Sequence, residues 1–332
     1  MPTLIVALAF LLALNGGVRA QPAPSLSLPI ACALGKDCFI QQYVDVDPGP
    51  GVKDYRCGIA SYEGHKGTDF RVLSIKAAEA GVKVLASTAG RVKGVRDGMD
   101  DRLIVTPADA QAAVDRECGN GVVLDHGGGW ETQYCHMRRG SVTARAGQTV
   151  EAGTPLGLVG YSGQAQFAHV HLSVRKNGAV VDPFLGETVN GTCLQANMQP
   201  TSSLWQANVQ ANIGYMDAQI IETGFSAGAV GSAELEQGGV AAPDAGSAGL
   251  VFYARIINMR AGDSLRIAVE GPDGFKAALA GEPVDRNKAQ YVGVAGKKRT
   301  ETRWASGAYR GVAEVIRAGA AISKAEKTLQ LQ

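Results

Sequence analysis

Ala168-His169-Val170-His171-Leu172-Ser173-Val174 places two of the chain's five histidines on alternate positions of an otherwise apolar run. In an extended strand a two-residue step returns a side chain to the same face, about 7 Å further on. Read as a strand, the stretch sends both imidazoles into one site and turns Val170, Leu172 and Val174 toward a core. A His-x-His pair alone is weak evidence for a metal. Two further segments strengthen it: His65-Lys66-Gly67-Thr68-Asp69 upstream, and Tyr134-Cys135-His136 between them.

The surrounding sequence is strand-like and cornered by glycine. Val82, Val84 and Ala86 alternate, and Gly90 reads as a turn or bulge. Two strand-like runs around Val122-Val123-Leu124 and Thr132-Gln133-Tyr134 are joined by Gly127-Gly128-Gly129, which is a hairpin pattern. More strands follow at 150–159 and 167–174, separated by Gly160 and Gly163. The whole predicts an all-β, antiparallel domain over 51–195, after a proline-containing lead-in at 21–50. Residues 97–117 interrupt it with an acidic start and a helix-like run at 108–114. Asp97, Asp100 and Asp101 lack the spacing of the twelve-residue calcium loop, so this reads as a solvated insertion.

A chain of 332 residues is long for one core, and two domains are the default. A net charge of +1 gives no basic face for nucleic acid. The second domain is expected over 201–332. Leu250-Val251-Phe252-Tyr253-Ala254-Arg255-Ile256-Ile257 and the alternating Ser264-Leu265-Arg266-Ile267-Ala268-Val269-Glu270 read as strands of an immunoglobulin-like β-sandwich. The Gly-, Ala- and Ser-rich segment 224–249 is expected to be loose within it. No histidine follows His171, so no catalytic cluster is expected there.

The chain opens on an eleven-residue apolar run, 4–14, followed by Val18-Arg19-Ala20. That pattern predicts a secretory signal at 1–20, cut after Ala20, and export to a periplasm or beyond. A membrane anchor needs about 20 apolar residues, so no stable anchor is expected once the signal is removed. The even cysteine count fits disulfides in an exported chain. Fifteen pairings are open. Cys32 and Cys38 can close a short loop, and Cys118 and Cys135 can bridge adjacent strands, which leaves Cys57 with Cys193. The rival reading makes Cys135 a zinc ligand, although no Cys-x-x-Cys spacing supports it.

A catalytic zinc takes three protein ligands and keeps a position for water, whose pKa it lowers to about 7. Hydrolysis of an amide then needs a second group to move protons, usually His near neutral pH. His65, Asp69, His136, His169 and His171 offer that set, and the His-Glu-x-x-His helix of other metalloproteases is absent.

With these residues in this order, the chain resembles the M23 peptidases, the lysostaphin and LytM-like zinc endopeptidases, over about residues 55–185. The resemblance also rests on Gly81-x-x-Val-x-Ala-x-x-x-Gly-x-Val92, Gly119-Asn120-Gly-Val-Val-Leu-Asp-His-Gly127, Gly147-x-x-Val-x-x-Gly-x-x-x-Gly157 and Asp182-Pro183. It implies one zinc ion held by His65, Asp69 and His171. His136 and His169 would then be the unligated pair that activates water and steadies the oxyanion. It further implies peptidoglycan peptides as substrate. His126 also matches, and its place in the hairpin turn gives it a structural reading. Departures are Phe167-Ala168 where the family usually has Gly-Pro, and Val170 and Ser173 where Leu and Phe are common. These are expected to alter pocket shape and leave ligand chemistry alone, while 97–117 is expected to reshape the cleft rim. The alternative is a catalytically silent LytM-like module that regulates another wall hydrolase. Such a module is expected to lack a metal residue, and this chain retains all five.

Overall fold

A computed structural model describes residues 22–195 and 198–332. The expected signal at 1–20 lies outside the described residues. Among them, no helix is long and apolar enough to cross a membrane.

The first half is built from strands β1 (Cys38–Gln42), β2 (Thr68–Val72), β3 (Lys83–Leu85), β4 (Gly90–Arg96), β5 (Asn120–Asp125), β6 (Trp130–Met137), β7 (Thr149–Val150), β8 (Pro155–Leu158), β9 (His169–Lys176), β10 (Ala179–Asp182) and β11 (Glu187–Thr188). The main sheet runs β1-β2-β9-β6-β5-β4-β7, and each of these pairs is antiparallel. The predicted lead-in is therefore part of the sheet, because β1 forms one edge. The apolar side of the His-x-His strand behaves as its alternation requires. Val170 and Leu172 are 0% exposed, packed with Phe70, Leu124 and Tyr134. Each such side chain contributes about 1.5–3 kcal/mol by leaving water.

Two short helices flank the sheet. Helix α1 (Ile75–Glu79) is capped by Ser74, whose hydroxyl accepts from the Ala77 amide. Helix α2 (Pro107–Ala112) lies in the insertion, where Thr106 and Asp109 form a reciprocal capping box. Asp97 accepts from the Gly140 and Val142 amides, and Asp101 from those of Arg139 and Tyr161. These two acids pin the insertion to the domain; the expectation of a merely solvated segment is corrected in that respect.

Residues 204–216, including helix α3 (Ala207–Gln210), also feed the first core through Leu204, Trp205, Val209, Ile213 and Met216. Beyond them come β12 (Gln219–Ser226), helix α4 (Ser232–Gln237), β13 (Gly249–Met259), β14 (Ser264–Glu270), β15 (Lys276–Ala280), β16 (Lys288–Lys298), β17 (Gly307–Arg317) and β18 (Ala320–Leu331). They form two sheets, β12-β13-β16 and β15-β14-β17-β18, that share one core around Phe252, Ile256, Ile267 and Val315. The layout is that of a two-sheet β-sandwich. Tyr309, near the start of β17, ties the preceding loop by donating its hydroxyl to the Ala305 carbonyl at 3.1 Å. The segment expected to be loose carries the end of β12 and all of α4. Its Glu236 is 6% exposed because two arginines need it.

Those arginines sit where the two halves meet. Arg71 of β2 and Arg255 of β13 are both 0% exposed and share the Glu236 carboxylate, Arg71 Nη2 at 2.9 Å from Oε2. Arg71 also donates to Gln41 and Gln290, and Arg255 to the Leu73 carbonyl at 2.7 Å. Burial pushes the Arg71 guanidinium down to about 10, with Glu236 opposing.

Three disulfides, Cys32–Cys38, Cys57–Cys193 and Cys118–Cys135, close the expected pairs. The Cys135 sulfur is spent, which removes the rival reading of it as a zinc ligand.

Candidate metal centre

Strand register creates the site. Asp69 on β2 lies opposite His171 on β9, and Arg71 lies opposite His169. Asp69 Oδ1 is 2.8 Å from His171 Nδ1 and 3.2 Å from His65 Nε2, and those two nitrogens are 3.1 Å apart. Metal–ligand distances of about 2.1 Å around a tetrahedral ion put ligand atoms about 3.4 Å from one another. Two nitrogens and one oxygen at these spacings fit zinc in both chemistry and size.

The opposite side of each ring fixes which nitrogen faces inward. His65 Nδ1–H donates to the Tyr43 carbonyl at 2.6 Å. His171 Nε2–H donates to Ser173 Oγ at 3.0 Å, and that hydroxyl donates to the Lys66 carbonyl at 2.8 Å. Such outer partners hold ligand rings in the metal-binding tautomer. Ser173 therefore touches ligand chemistry, contrary to the expectation that this position alters only pocket shape. Its signal was available in the alternation, since Ser173 shares the face of His171. Gly67 makes room: a Cβ there would stand 2.5 Å from His171 Nε2.

His136 and His169 stand beside this group with ring centroids 4.5 Å apart. Each is anchored through Nδ1, His136 to the Ser162 carbonyl and His169 to the Phe167 carbonyl, both at 2.8 Å. Each thus leaves Nε2 free of a backbone partner, and that of His169 lies 3.6 Å from Asp69 Oδ1. His136 reaches the site by breaking the alternation of β6. Cys135 lies opposite His171, so strict pleating would turn His136 to the far face. A register shift in the β5–β6 pairing and a φ of 61° at His136 mark a bulge that re-aims it. A left-handed φ at a non-glycine residue is strained, and the His136 amide is held there by the Cys118 carbonyl at 2.8 Å.

The charges are unequal. Burial would raise the Asp69 carboxyl, but the charges of His65 and His169 and hydrogen bonds from His171 and His65 hold it well below the usual range. Burial works to lower His65, yet Asp69 outweighs it and the net shift is upward. Burial, then the neighbouring His169 and His171, pushes His136 well down. Burial also lowers His169 and His171, against the pull of Asp69.

Two cavities of about 460 and 410 Å³ meet here, and Tyr62 and Gln164 line both. The first holds His65, His136 and His171 with Lys66 and Arg175 at its sides. The second holds Asp69, His169 and Phe167, walled by Ile104 and Ala110 of the insertion and Ala289 of β16. The insertion shapes the cleft, as expected. Phe167 lies 4.4 Å from the His169 ring and under the Arg71 guanidinium at 4.9 Å. His126 is elsewhere: its Nδ1–H donates to the Ala89 carbonyl at 2.7 Å and its Nε2 accepts from the Thr132 hydroxyl at 2.9 Å, tying the hairpin as its structural reading holds.

Residues 63–183 match the model of peptidase family M23. The DD-carboxypeptidase/endopeptidase Mpg of Neisseria meningitidis is 37% identical over 65 residues, 20% of this chain and 14% of that protein. An uncharacterized metalloprotease of Haemophilus influenzae is 32% identical over 119 residues, 36% of this chain and 20% of that protein. The matches thus span a fifth or less of the length of these curated relatives. The catalytic domain of lysostaphin, the antimicrobial peptidase from Staphylococcus simulans, is 20% identical, covering 43% of this chain and 85% of that one at a TM-score of 0.28. Residues 63–183 are a peptidase family M23 domain.

Proposed function

We propose that this M23 peptidase domain is a zinc-dependent endopeptidase that hydrolyses peptide bonds of cell-wall peptidoglycan, in a chain exported to the periplasm. The observation that carries the reading is the convergence of His65 Nε2, Asp69 Oδ1 and His171 Nδ1, with His136 and His169 anchored beside them. One zinc held by those three atoms would supply Lewis acidity and a water ionising at about pH 7. The chain's own residues do the rest. His136, neutral because it is buried, takes a proton from the attacking water at Nε2 and returns it to the leaving amine. His169 points its Nε2 at the same space and steadies charge that develops on the carbonyl oxygen. Tyr43, Ser162, Phe167 and Ser173 fix the rings so that no reorientation is needed during the reaction. A silent regulatory module is not favoured, because nothing is missing from the set of five.

The test is to purify residues 21–332, measure bound zinc, and digest isolated cell walls with and without chelator. One zinc per chain and chelator-sensitive release of muropeptides are expected. Stoichiometric zinc without cleavage would overturn the enzyme reading in favour of the regulator.

A further inference from the structure

The sandwich carries a cavity of its own, about 790 Å³, between the turn at 272–275 and the loop at 299–305. One wall is aromatic. Half-buried Phe275 meets Trp304 and Tyr309 edge-on, with ring centroids 5.8 and 5.2 Å away. The rim is cationic, with Lys297, Lys298, Arg299 and Arg303 around it. Lys297 Nζ lies 5.4 Å from the centre of the Phe275 ring. Arg299 is committed to the backbone, donating to the carbonyls of Ser247, Glu301 and Thr302 and so bracing the loop. Among the described residues, Arg303 donates only to a main-chain oxygen of Gln332, at 3.3 Å. Asp273 and Glu301 also line the cavity, yet among the described residues neither pairs with these cations, and four cations against two acids leave +2.

The cleft chemistry does not use this arrangement, and the fold takes from it the aromatic wall and Arg299 while leaving the charges of Lys297 and Lys298 over. Unpaired ammonium and guanidinium groups bind acid oxygens through charge-assisted hydrogen bonds. The face of an apolar ring between them accepts the C–H side of a sugar. We propose that this cavity binds an acidic saccharide, with its carboxylates on Lys297, Lys298 and Arg303 and a sugar ring against Phe275. Nucleic acid combines rings and acids as well, but three disulfides belong to an oxidising compartment where it is not the usual partner. Position adds a reason. Ala289 and Lys297 stand on the same strand, β16, and eight residues of strand span about 27 Å. A polymer held here lies one strand's length from the catalytic cleft, beside it and out of its way.

Titration calorimetry on the full chain decides the matter. The probes are peptide-free glycan strands with free lactyl carboxylates, the same strands with those carboxylates amidated, and a glycerol-phosphate polymer. The acidic strands are expected to bind, and the amidated strands to bind at least about tenfold more weakly. The double variant Lys297→Glu, Lys298→Glu should lose a similar factor with an unchanged thermal midpoint. Should that variant not fold, Arg303→Gln carries the same expectation. Equal binding by amidated strands or by a folded variant, binding by the glycerol-phosphate polymer alone, or no binding of the acidic strands would overturn the proposal.

Discussion

His136 and His171 both belong to the cleft, yet their replacement should read out differently. His171→Ala removes one of three converging donors and should abolish zinc retention and hydrolysis together. His136→Ala leaves the three donors in place. It should keep the metal and lose about 10²–10⁴-fold in rate, the usual worth of a positioned proton carrier. Metal analysis of both variants checks this, and a metal-free His136→Ala would show the roles to be reversed. A different residue governs pH. Burial pushes the Asp182 carboxyl up to about 7, although the Leu185 and Phe184 amides pull the other way. The folded chain then keeps a proton that the unfolded chain, ionising near about 3.9, has lost. The stability this group contributes is therefore whole below about pH 4 and drains away as pH rises to about 7. Asp182→Asn should gain on the parent in urea midpoint between about pH 5 and about pH 8; a constant gap would refute the assignment. Alternation put His169 and His171 on one face, and with the motif order of the M23 resemblance all five cleft residues were legible. The bulge that turns His136 inward was not, since a single left-handed φ leaves no periodic trace.

Elements show a second limit. β9 and the β5–β6 hairpin were readable from alternation and glycine punctuation. β1 was hidden in a lead-in, because an edge strand is defined by its partner and Cys38-Phe39-Ile40-Gln41-Gln42 does not alternate. Helix α4 was hidden in a Gly- and Ala-rich stretch for a similar reason: Glu236 is fixed by Arg71 and Arg255, both distant in sequence. The pairing of Cys57 with Cys193 also ties distant elements, at a sequence separation of 136. Replacing both by serine should cost about 2–5 kcal/mol of unfolding free energy, the usual loss for a native bridge in a small secreted domain. Chemical denaturation measures it, and a loss well under about 1 kcal/mol would mean that the unfolded chain is barely constrained by this link.

At the scale of the molecule, the sandwich is joined to the peptidase half by buried charge. Glu236→Gln leaves Arg71 and Arg255 without their shared carboxylate and should destabilise the chain by about 3–5 kcal/mol, as removing one partner of a buried pair does. The same change should weaken catalysis, because Arg71 rests on Phe167 and Phe167 rests on His169. Denaturation and turnover measured on one preparation check both, and a variant as stable as its parent would show the cluster to be ornamental. A two-part plan was an expectation legible from length and strand pattern. The intimacy of the join was not, because it depends on single side chains that meet only after both halves have formed.

The Cys118–Cys135 bridge has a consequence for when the cleft becomes complete. The Cys118 carbonyl holds the bent His136, and Cys135 stands directly across from His171. While those two sulfurs remain thiols, nothing covalent sets the bend that carries the His136 imidazole or the stretch of β6 that faces His171. Synthesis under reducing conditions would leave the placement of His136 unset, and oxidation of this one pair would complete it.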